Sequence, residues 1–421
     1  MSLSCFELGE RMLPVEEARA AVLSLAEGPL PDERVALCSL RGRVLAEPLL
    51  APIDVPQNTN AAMDGVALAW PETLPPEGFL RVVEILAGHG ADRPLAAGEC
   101  AGITTGAPLP PGADTVIMRE QLVIEAGADG EVRVRVERPE RVRRGQNVRQ
   151  AGEDIPRGAV ALDAGTRLGA AELGLIASLG FAEARVVRRP RVALFSTGDE
   201  VAAPGEALPA AGIYDANRFA LMALVEEHGG EVLDLGILPD RRDAIADGLA
   251  RAAAEADLVL SSGGVSVGDA DHTRAALLAQ GELGFWKIAI RPGRPLACGR
   301  LGARAVPFLG LPGNPVASMV TFLQFAAPLL ARLQGREGAW PRRLTAVAEQ
   351  PLRSREGRVD YLRGLFRSDG EGRLVVHESG GQGSGILSSM VRANCLIEID
   401  DARAGVEAGE SVTIQPLFRL P

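Results

Sequence analysis

The stretch DLVLSSGGVSVGD, residues 257–269, decides the fold of this 421-residue chain. Its apolar string DLVL predicts a buried strand, and a glycine-rich loop follows at the point where that strand ends. Ligands in open α/β sheets bind beyond the carboxyl ends of the strands. The loop is therefore the first candidate for a binding site.

Strands and helices alternate on both sides of this stretch. The apolar string VALF at 192–195 runs into the polar loop STGDE, and a helical pattern follows at 219–228. The strand EVLDLGIL and a helix at 242–255 come next, and another helix follows Asn314. This alternation predicts βαβ units in a three-layer α/β domain with a parallel-rich sheet.

The two ends of the chain have different patterns. One face of a helix that begins near Pro14 carries four apolar residues: Val15, Ala18, Val22 and Leu25. Short alternating apolar runs broken by glycine and proline predict β-rich structure at 34–153, and residues 165–180 return to helical spacing. Alternating strands at 340–421 predict a small β-barrel or sandwich.

These patterns predict a multidomain α/β plus β protein. An N-terminal mixed α/β domain carries a β-rich insert, the α/β domain lies in the centre, and a small β-barrel ends the chain. The predicted boundaries are 1–52 with 142–189 for the mixed linker domain, 53–141 for the insert, 190–336 for the α/β domain and 337–421 for the barrel.

Composition limits the classes of partner. The formal net charge is −11 and the pI is near 5.1, so the chain should repel nucleic-acid phosphates and anionic membrane surfaces. Five scattered cysteines and four separated histidines predict free thiols and no zinc site. No apolar run is expected to approach the ~20 residues of a membrane span, and the N-terminus lacks a signal-peptide pattern. We expect a cytoplasmic protein.

The loop at 261–271 offers three kinds of group to a phosphate-bearing ligand. Its glycines let backbone N–H groups approach closely, its serines add hydroxyl donors, and its aspartates could hold Mg²⁺ beside the phosphate. The alternative is a plain glycine-rich connection capped by serine and aspartate. The residues concerned are Ser261, Ser262, Gly263, Gly264, Ser266, Gly268, Asp269 and Asp271.

Three further segments could contribute to the same site. STGDE follows another strand, WKIAIRPGRP carries basic residues that could neutralise an anion, and LPGNP begins a helix whose N-terminus could bind one. The alternatives are a helix cap, a solvated surface and a plain helix start. The residues concerned are Ser196, Thr197, Gly198, Asp199, Glu200, Lys287, Arg291, Arg294, Pro312, Gly313, Asn314 and Pro315.

Three motifs near the N-terminus carry polar residues as well. AAMDGVA contains Asp64, ITTGAPLPPGAD contains Thr105, and RQAGEDI contains Asp154. Each one alone is typical of a polar turn. Local spacing does not connect them to the α/β domain.

Taken together, ten strings resemble the molybdopterin molybdenumtransferase (MoeA) family, which includes the E-domain of gephyrin. They occur in the family's order over about residues 10 to 418, nearly the whole chain. The strings are NTNAAMDGVA, TTGAPLPPGAD, RQAGEDI, STGDE, IYDANR, SSGGVSVGDAD, FWKIAIRPGRP, LPGNPVAS, QGSGILSSM and ANCLIEI.

The resemblance implies an elongated homodimer with four domains per subunit and a MoaB/MogA-like central domain. Its active-site cleft would be shared, so that Asp64, Thr105 and Asp154 approach the 261–271 loop of the other subunit. The implied reaction inserts molybdate into adenylylated molybdopterin, a pterin dithiolene joined to AMP through a pyrophosphate. AMP release would depend on Mg²⁺, and molybdopterin adenylyltransferase would be the upstream partner.

The resemblance also assigns roles to single residues. Asp269 and Asp271 would hold Mg²⁺, with Asp199, Glu200 and Asp240 as lesser candidates. Lys287 and Arg291 would receive the molybdate or phosphate oxyanion, and the catalytic set would also include Asp64, Thr105 and Asp154. Two further residues would help to bind the substrate: Asp215 and Ser384.

Three positions depart from the family pattern. Val66 replaces a tyrosine, Ala216 replaces a small hydroxyl residue, and Arg291 occupies a usual lysine position. Arginine keeps the charge but presents a planar fork instead of a point ammonium.

Two other functions stay open at this point. A molybdopterin adenylyltransferase of the MogA type would need only the α/β domain, so the flanking domains argue against it. A non-catalytic scaffold like the gephyrin E-domain is the second alternative, and the lack of long linkers argues against that one.

Overall fold

A seven-stranded mixed sheet forms the centre of the protein. The computed structural model describes residues 12–90, 93–127, 130–239, 241–263, 279–336, 338 and 341–417. Four neighbouring strands of the sheet are parallel, and Pro295–Leu301 runs antiparallel to both of its neighbours. In spatial order the strands are Met12–Leu13, Gly281–Ile288, Pro295–Leu301, Val306–Leu311, Leu258–Ser262, Arg191–Thr197 and Glu231–Leu238.

Helices cover both faces of this central sheet. In the strand Arg191–Thr197, Val192 and Leu194 point to one hydrophobic core, and Ala193 and Phe195 point to the other. The strand is therefore apolar throughout, because both of its faces are buried. The helices Val15–Leu23 and Ala216–Glu227 pack in the first core, and Arg242–Glu255 packs in the second. This arrangement confirms the predicted three-layer α/β domain.

The longest helix of the first core corrects one sequence-based expectation. It runs from Pro315 to Leu333 over 19 residues, with a π-helical turn at Phe322–Ala326 between the α-helical parts Pro315–Thr321 and Ala327–Leu333. The expectation that no apolar run approaches the length of a membrane span was wrong for this segment. Its most apolar window is 83% buried within the protein, so core packing explains its composition.

The helix Val15–Leu23 packs as its apolar face predicts. Val15, Ala18, Val22 and the following Leu25 are all buried in the first core. The helix ends at Leu23, so Leu25 packs from just beyond its last residue. Just before it, Met12–Leu13 joins the edge of the central sheet by pairing with Lys287 and Ile288.

Short two-stranded pairs and one helix connect the central sheet to the insert. The helix Ala170–Ser178 lies within the predicted helical segment, and it packs on a small core that includes Leu40, Leu45 and Val186. The paired strands are Asp32–Ala36 with Glu183–Val187, Leu49–Leu50 with Val160–Leu162, and Asn60–Ala61 with Val148–Arg149.

The predicted β-rich insert contains a six-stranded sheet. Apolar clusters lie on both faces of this insert sheet, around Val66 and Leu68 on one side and around Ala67 and Val116 on the other. In spatial order the strands are Thr115–Met118, Gly65–Leu68, Glu99–Ile103, Phe79–Ile85, Val132–Val136 and Leu122–Ala126.

Five strands near the C-terminus close into a barrel. Pairing of Val359–Ser368 with Cys395–Ile399 completes the ring, and Leu362, Val376 and Ile397 lie in its core. This confirms the predicted small β-barrel. The strands in order around the ring are Val359–Ser368, Leu374–Glu378, Leu344–Ala348, Ser411–Pro416 and Cys395–Ile399.

Smaller elements complete the described chain. The short helix Leu387–Arg392 follows the barrel strand Leu374–Glu378, and Ile290–Arg291 adds to the barrel sheet beside Val359–Ser368. The remaining paired strands are Val201–Ala202 with Ile213–Tyr214 and Leu352–Arg353 with Gly405–Val406, and the 3₁₀ turns are Leu37–Ser39, Arg119–Gln121 and Pro139–Arg141. The domain boundaries given above stay predictions.

A buried polar network joins the barrel to the central core. The Arg19 guanidinium donates to Gln324 Oε1 and, at 3.1 Å, to Tyr361 Oη. Gln324 Nε2 donates to Gln415 Oε1 at 2.8 Å, and Gln415 Nε2 donates to Glu398 Oε2 at 2.8 Å. The network links the first helix, the π-helical turn and the barrel. Buried polar groups need such partners, so the network favours one fixed arrangement of these three parts.

Candidate functional site

Three polar loops meet at the carboxyl edge of the central sheet. In the strand register, Ser196 lies beside Ser262, and Ser262 lies beside Leu311. The loops that follow these strands therefore start side by side, as the sequence predicts for parallel neighbours. We call this group, formed by residues 196–200, 261–263 and 311–314, the strand-end site.

Asn217 ties two of these loops together. Its Nδ2 group donates to Ser262 Oγ at 2.8 Å and to the Gly313 carbonyl at 2.7 Å. The Gly263 N–H donates to the Leu311 carbonyl at 3.2 Å, which reinforces the same junction. Sequence reasoning gave Asn217 no role, although it belongs to the quoted string IYDANR.

Glycine is required where the loops pass each other. Gly263 has a φ of 82°, and a Cβ atom there would lie 3.3 Å from the Thr197 carbonyl oxygen. Gly198 has a φ of 133°, and a Cβ atom there would lie 2.6 Å from a Glu200 carboxylate oxygen. Both positions have a left-handed backbone that favours glycine, and at Gly263 a Cβ atom would also crowd a backbone oxygen. At these two positions the loops offer backbone instead of a side chain.

Asp215 is fully engaged inside the protein. Its Oδ1 accepts from Ser196 Oγ at 3.1 Å and from the Arg218 N–H at 3.1 Å, which caps the helix Ala216–Glu227. Its Oδ2 pairs with Arg218 Nε at 2.9 Å. Burial alone would lower the pKa of Arg218, but the ion pairs with Asp215 and Asp234 outweigh burial and raise it. The buried carboxylate of Asp215 therefore supports the strand-end site through Ser196.

The C-terminal segment around Ser384 reaches the start of the long helix. Asn314 occupies the N-cap position and Pro315 the first helical position, as predicted, although the Asn314 side chain makes no capping bond. The Val316 N–H donates to the Ser384 carbonyl at 3.0 Å, and the Ser318 N–H donates to the Asn314 carbonyl at 2.9 Å. Since proline has no N–H, few donors of this helix start remain for an anion.

Arg363 holds the segment that contains Ser384. This barrel residue is 1% exposed, and its guanidinium donates to the Gly381 carbonyl at 3.3 Å and to the Gly383 carbonyl at 3.2 Å. Burial, together with repulsion from nearby Arg291, lowers the pKa of Arg363 to about 10. Sequence reasoning missed Arg363, because its partners lie about 20 residues further along the chain.

The basic turn lies against the same helix. Gly293 has a φ of 109°, and a Cβ atom there would lie 2.3 Å from Thr321 Cγ2. Arg291 pairs with the fully buried Asp360 of the barrel at 3.3 Å and is 45% exposed. Lys287 and Arg294 are both exposed near the end of the hairpin in which Lys287 pairs with Pro295. The turn therefore presents three cations to solvent next to the helix.

The N-terminal motifs form a second polar group on the insert. Asp64 Oδ1 accepts from the Thr105 hydroxyl and from the Thr105 N–H, both at 2.7 Å. These two hydrogen bonds lower the pKa of Asp64. The Ala61 N–H donates to the Ala107 carbonyl, and Asn60–Ala61 pairs with Val148–Arg149, which brings the motif of Asp154 to the same region. Asp64, Thr105 and Asp154 are all exposed.

The two polar groups are separate within one chain. Over the described ranges, no hydrogen bond or ion pair joins residues 53–157 to the strands of the central sheet. The structure thus brings together the predicted residues of each group but does not bring the two groups together.

Several predicted site residues lie outside the described residues. They are Gly264, Ser266, Gly268, Asp269, Asp271 and Asp240. Among the carboxylates that the structure does describe, Asp199 and Glu200 are exposed directly after the strand Arg191–Thr197. No cluster of three or more metal-ligating side chains occurs among the described residues.

Two departures from the family pattern have clear structural settings. Val66 is 3% exposed in the apolar cluster of the insert sheet, so it contributes to packing and not to the exposed group around Asp64. Ala216 is the exposed first residue of the helix that Asp215 caps.

Comparisons with known proteins agree along the whole chain. Residues 13–180 match the MoeA N-terminal region (domain I and II), 193–332 match a probable molybdopterin binding domain, and 345–417 match the MoeA C-terminal region (domain IV). The chain is 39% identical to a protein named molybdopterin molybdenumtransferase from Haemophilus influenzae, over 97% of this chain and 100% of that one. A protein of the same name from Nostoc is 34% identical over 91% of this chain and 88% of its own.

A solved structure has the same overall architecture. The molybdopterin biosynthesis moeA protein of Pyrococcus horikoshii OT3 superposes with a TM-score of 0.82 at 28% identity, over 97% of this chain and all of that one. The matches cover the insert, the central sheet and the barrel together. The chain therefore belongs to the MoeA family of molybdopterin molybdenumtransferases.

Proposed function

We propose that this chain inserts molybdate into adenylylated molybdopterin and releases AMP. The observation that supports this function best is that relatives named molybdopterin molybdenumtransferase match the chain over nearly its full length. The strand-end site adds chemical support, because its glycines and hydroxyls suit a phosphate-bearing ligand. Neither alternative function is favoured, since the matching enzymes carry the insert and the barrel as well as the central domain.

The strand-end site would hold the pyrophosphate of the substrate. The Gly313 N–H and the Thr197 hydroxyl would face its oxygens. When water attacks the pyrophosphate and the P–O bond of the anhydride breaks, such fixed donors stabilise the negative charge that moves onto the leaving AMP. Lys287, Arg291 and Arg294 would receive the molybdate oxyanion. The two dithiolene sulfurs would then bind the molybdenum, and their two protons would leave with one molybdate oxygen as water.

A magnesium ion fits the donor set beside this site. Mg²⁺ commonly takes one or two carboxylates and completes its shell with phosphate oxygens and water. Asp269 and Asp271 are the first proposed ligands, and Asp199, Glu200 and Asp240 are lesser candidates. When bound, the ion would neutralise charge on the pyrophosphate.

We further propose a homodimer with a shared cleft. The group around Asp64, Thr105 and Asp154 has no bonded contact with the strand-end site among the described residues, so a second copy would supply it. Closed two-fold dimers use the same surface twice, which would give two equivalent clefts. The proposed location is the cytoplasm, where a molybdopterin adenylyltransferase would supply the substrate.

The reaction can be tested with defined components. The purified protein, mixed with adenylylated molybdopterin, molybdate and Mg²⁺, should release AMP and yield active cofactor. Chelation of Mg²⁺ should slow AMP release by at least about tenfold, because the metal stabilises charge in the transition state. A folded protein that releases no AMP under these conditions would contradict the proposed function. Adenylylation of free molybdopterin with ATP would support the adenylyltransferase instead.

Subunit complementation tests the shared cleft. Asp64→Ala and Lys287→Ala change exposed side chains, so both variants should fold but be inactive as homodimers. After subunit exchange, half of the dimers are mixed and each has one intact cleft, so about a quarter of the wild-type activity should return. The control is each variant exchanged with itself. A mixture that stays inactive despite verified exchange would argue for a site within one subunit.

A further inference from the structure

The orientation of the Asn217 amide follows from its neighbours. The Gly313 carbonyl oxygen can only accept a hydrogen bond, so the atom 2.7 Å from it must be the Asn217 nitrogen. The same nitrogen lies 2.8 Å from Ser262 Oγ. An amide nitrogen carries two protons, and these two acceptors use both of them.

Two polar atoms next to each other are then left for a ligand. Within the described residues, no donor is bonded to Asn217 Oδ1, and Asn217 is partly exposed. Ser262 Oγ accepts from Asn217, so its own proton is available to donate, and no described acceptor takes it. An acceptor and a donor thus stand side by side at the end of the strand Leu258–Ser262.

This pairing does not match a phosphate group. Phosphate oxygens only accept hydrogen bonds, so the Asn217 Oδ1 would repel them. Amino and ring N–H groups of a nitrogen heterocycle are the donors that such an oxygen needs. Under the proposed function, the ligand carries two such heterocycles, the pterin and the adenine.

We propose that Asn217 is a specificity-determining residue whose Oδ1 accepts a hydrogen bond from an N–H group of the ligand's heterocycle. The proposal rests on the proposed function for the identity of the ligand. It divides the strand-end site into two parts. The Gly313 N–H is left for phosphate, and the Asn217–Ser262 pair recognises the heterocycle.

A purely structural role makes a different prediction for two variants. Asn217→Ala removes the acceptor and both donors, whereas Asn217→Asp removes both donors but keeps an oxygen at the position of Oδ1. If Asn217 only held Ser262 and Gly313 in place, both variants would lose binding equally. If Oδ1 recognises the ligand, the aspartate variant should retain the interaction with a neutral heterocycle.

Calorimetric titration with uncharged probes separates these outcomes. The probes are 6-hydroxymethylpterin and adenosine, which carry the N–H groups without phosphate. We expect Asn217→Ala to weaken binding of one of them by about tenfold, and Asn217→Asp to weaken it by less than about threefold. The probe that responds identifies which heterocycle occupies this part of the site.

Three results would overturn the proposal. They are an equal loss in both variants, no loss in Asn217→Ala, and no measurable binding of either heterocycle to the wild-type protein. Ala223→Ser serves as the matched control, because this exposed residue of the same helix lies outside the strand-end site and should leave binding unchanged. Thermal unfolding of each variant checks that the fold is retained.

The titration is independent of turnover. It uses neither molybdate nor the anhydride, so a protein that releases no AMP could still show the predicted difference between the variants. Conversely, the wild-type enzyme could release AMP while Asn217→Ala and Asn217→Asp bind each probe with equal affinity. That result would keep the proposed function and contradict this inference.

Discussion

Replacing Asp215 with alanine should lower the free energy of unfolding by about 3–5 kcal/mol, because it removes one partner of a buried ion pair. Asp215 is 4% exposed and Arg218 is 7% exposed, so water cannot replace the lost carboxylate easily. The change also removes the helix cap and the acceptor of the Ser196 hydroxyl. Urea-induced unfolding of the purified variant measures the loss.

Two milder variants serve as controls for this prediction. Asp215→Asn keeps an oxygen for the helix cap and for Ser196 but removes the charge, so its loss should be smaller. Asp234→Asn removes the other carboxylate that pairs with Arg218, and Asp234 is 37% exposed, so its effect should be smaller still. Stability of Asp215→Ala within about 0.5 kcal/mol of wild type would show that Arg218 does not need this partner.

Gly65→Ala should lower the free energy of unfolding of the insert sheet by about 3 kcal/mol or more, because no side chain can be accommodated there. A Cβ atom at residue 65 would lie 1.9 Å from the Ile117 carbonyl oxygen and 3.0 Å from the Arg119 nitrogen. Both neighbours are backbone atoms, so relief requires the paired strands to separate. Asp64 immediately precedes this residue, and the hydrogen bonds between Asp64 and Thr105 should be lost with the strand geometry.

Hydrogen exchange can localise the effect of Gly65→Ala. Amide protection should fall in the insert strands Gly65–Leu68 and Thr115–Met118, while the strands of the central sheet keep theirs. Gly102→Ala is the matched control in the adjacent strand, because the nearest atom to its Cβ would be Arg81 Cδ at 3.4 Å. Equal protection in both variants would contradict the predicted clash.

The architecture of the central domain could be predicted because its signals are local. The string at 192–195 is apolar on both faces, and each such strand is followed by a polar loop and a helix. Parallel strands place these loops at one edge, which is why Ser196 and Ser262 were expected together and are found in adjacent register positions. The apolar face of the helix Val15–Leu23 could also be predicted from its spacing, and it is buried as expected.

Pairings between distant segments could not be predicted from local patterns. Met12–Leu13 adds to a sheet whose neighbouring strand lies some 270 residues away, and two residues carry too little pattern to indicate a strand. The helix Pro315–Leu333 was missed as a long apolar run because a glutamine, a threonine and a proline interrupt it. Gln324 has its polar partners only in the folded protein.

The candidate site could likewise be predicted only in part. Residue type and position at strand ends indicated the loops, but not which side chains hold them. The role of Asn217 follows from its hydrogen bonds with Ser262 and Gly313, which lie 45 and 96 residues away. Asp215 was predicted to bind the substrate from the family resemblance, and the structure shows its carboxylate bound to Ser196 and Arg218. Its role as a ligand-contacting residue stays a prediction.

The two-residue strand Ile290–Arg291 joins the basic turn to the barrel. It pairs with Val359 and Asp360 of the barrel, while Gly293 two positions later is packed against the long helix of the central domain. The barrel therefore sets the position of the Arg291 guanidinium, while the long helix sets that of Gly293. The position of the barrel therefore determines where this positive charge meets an incoming oxyanion.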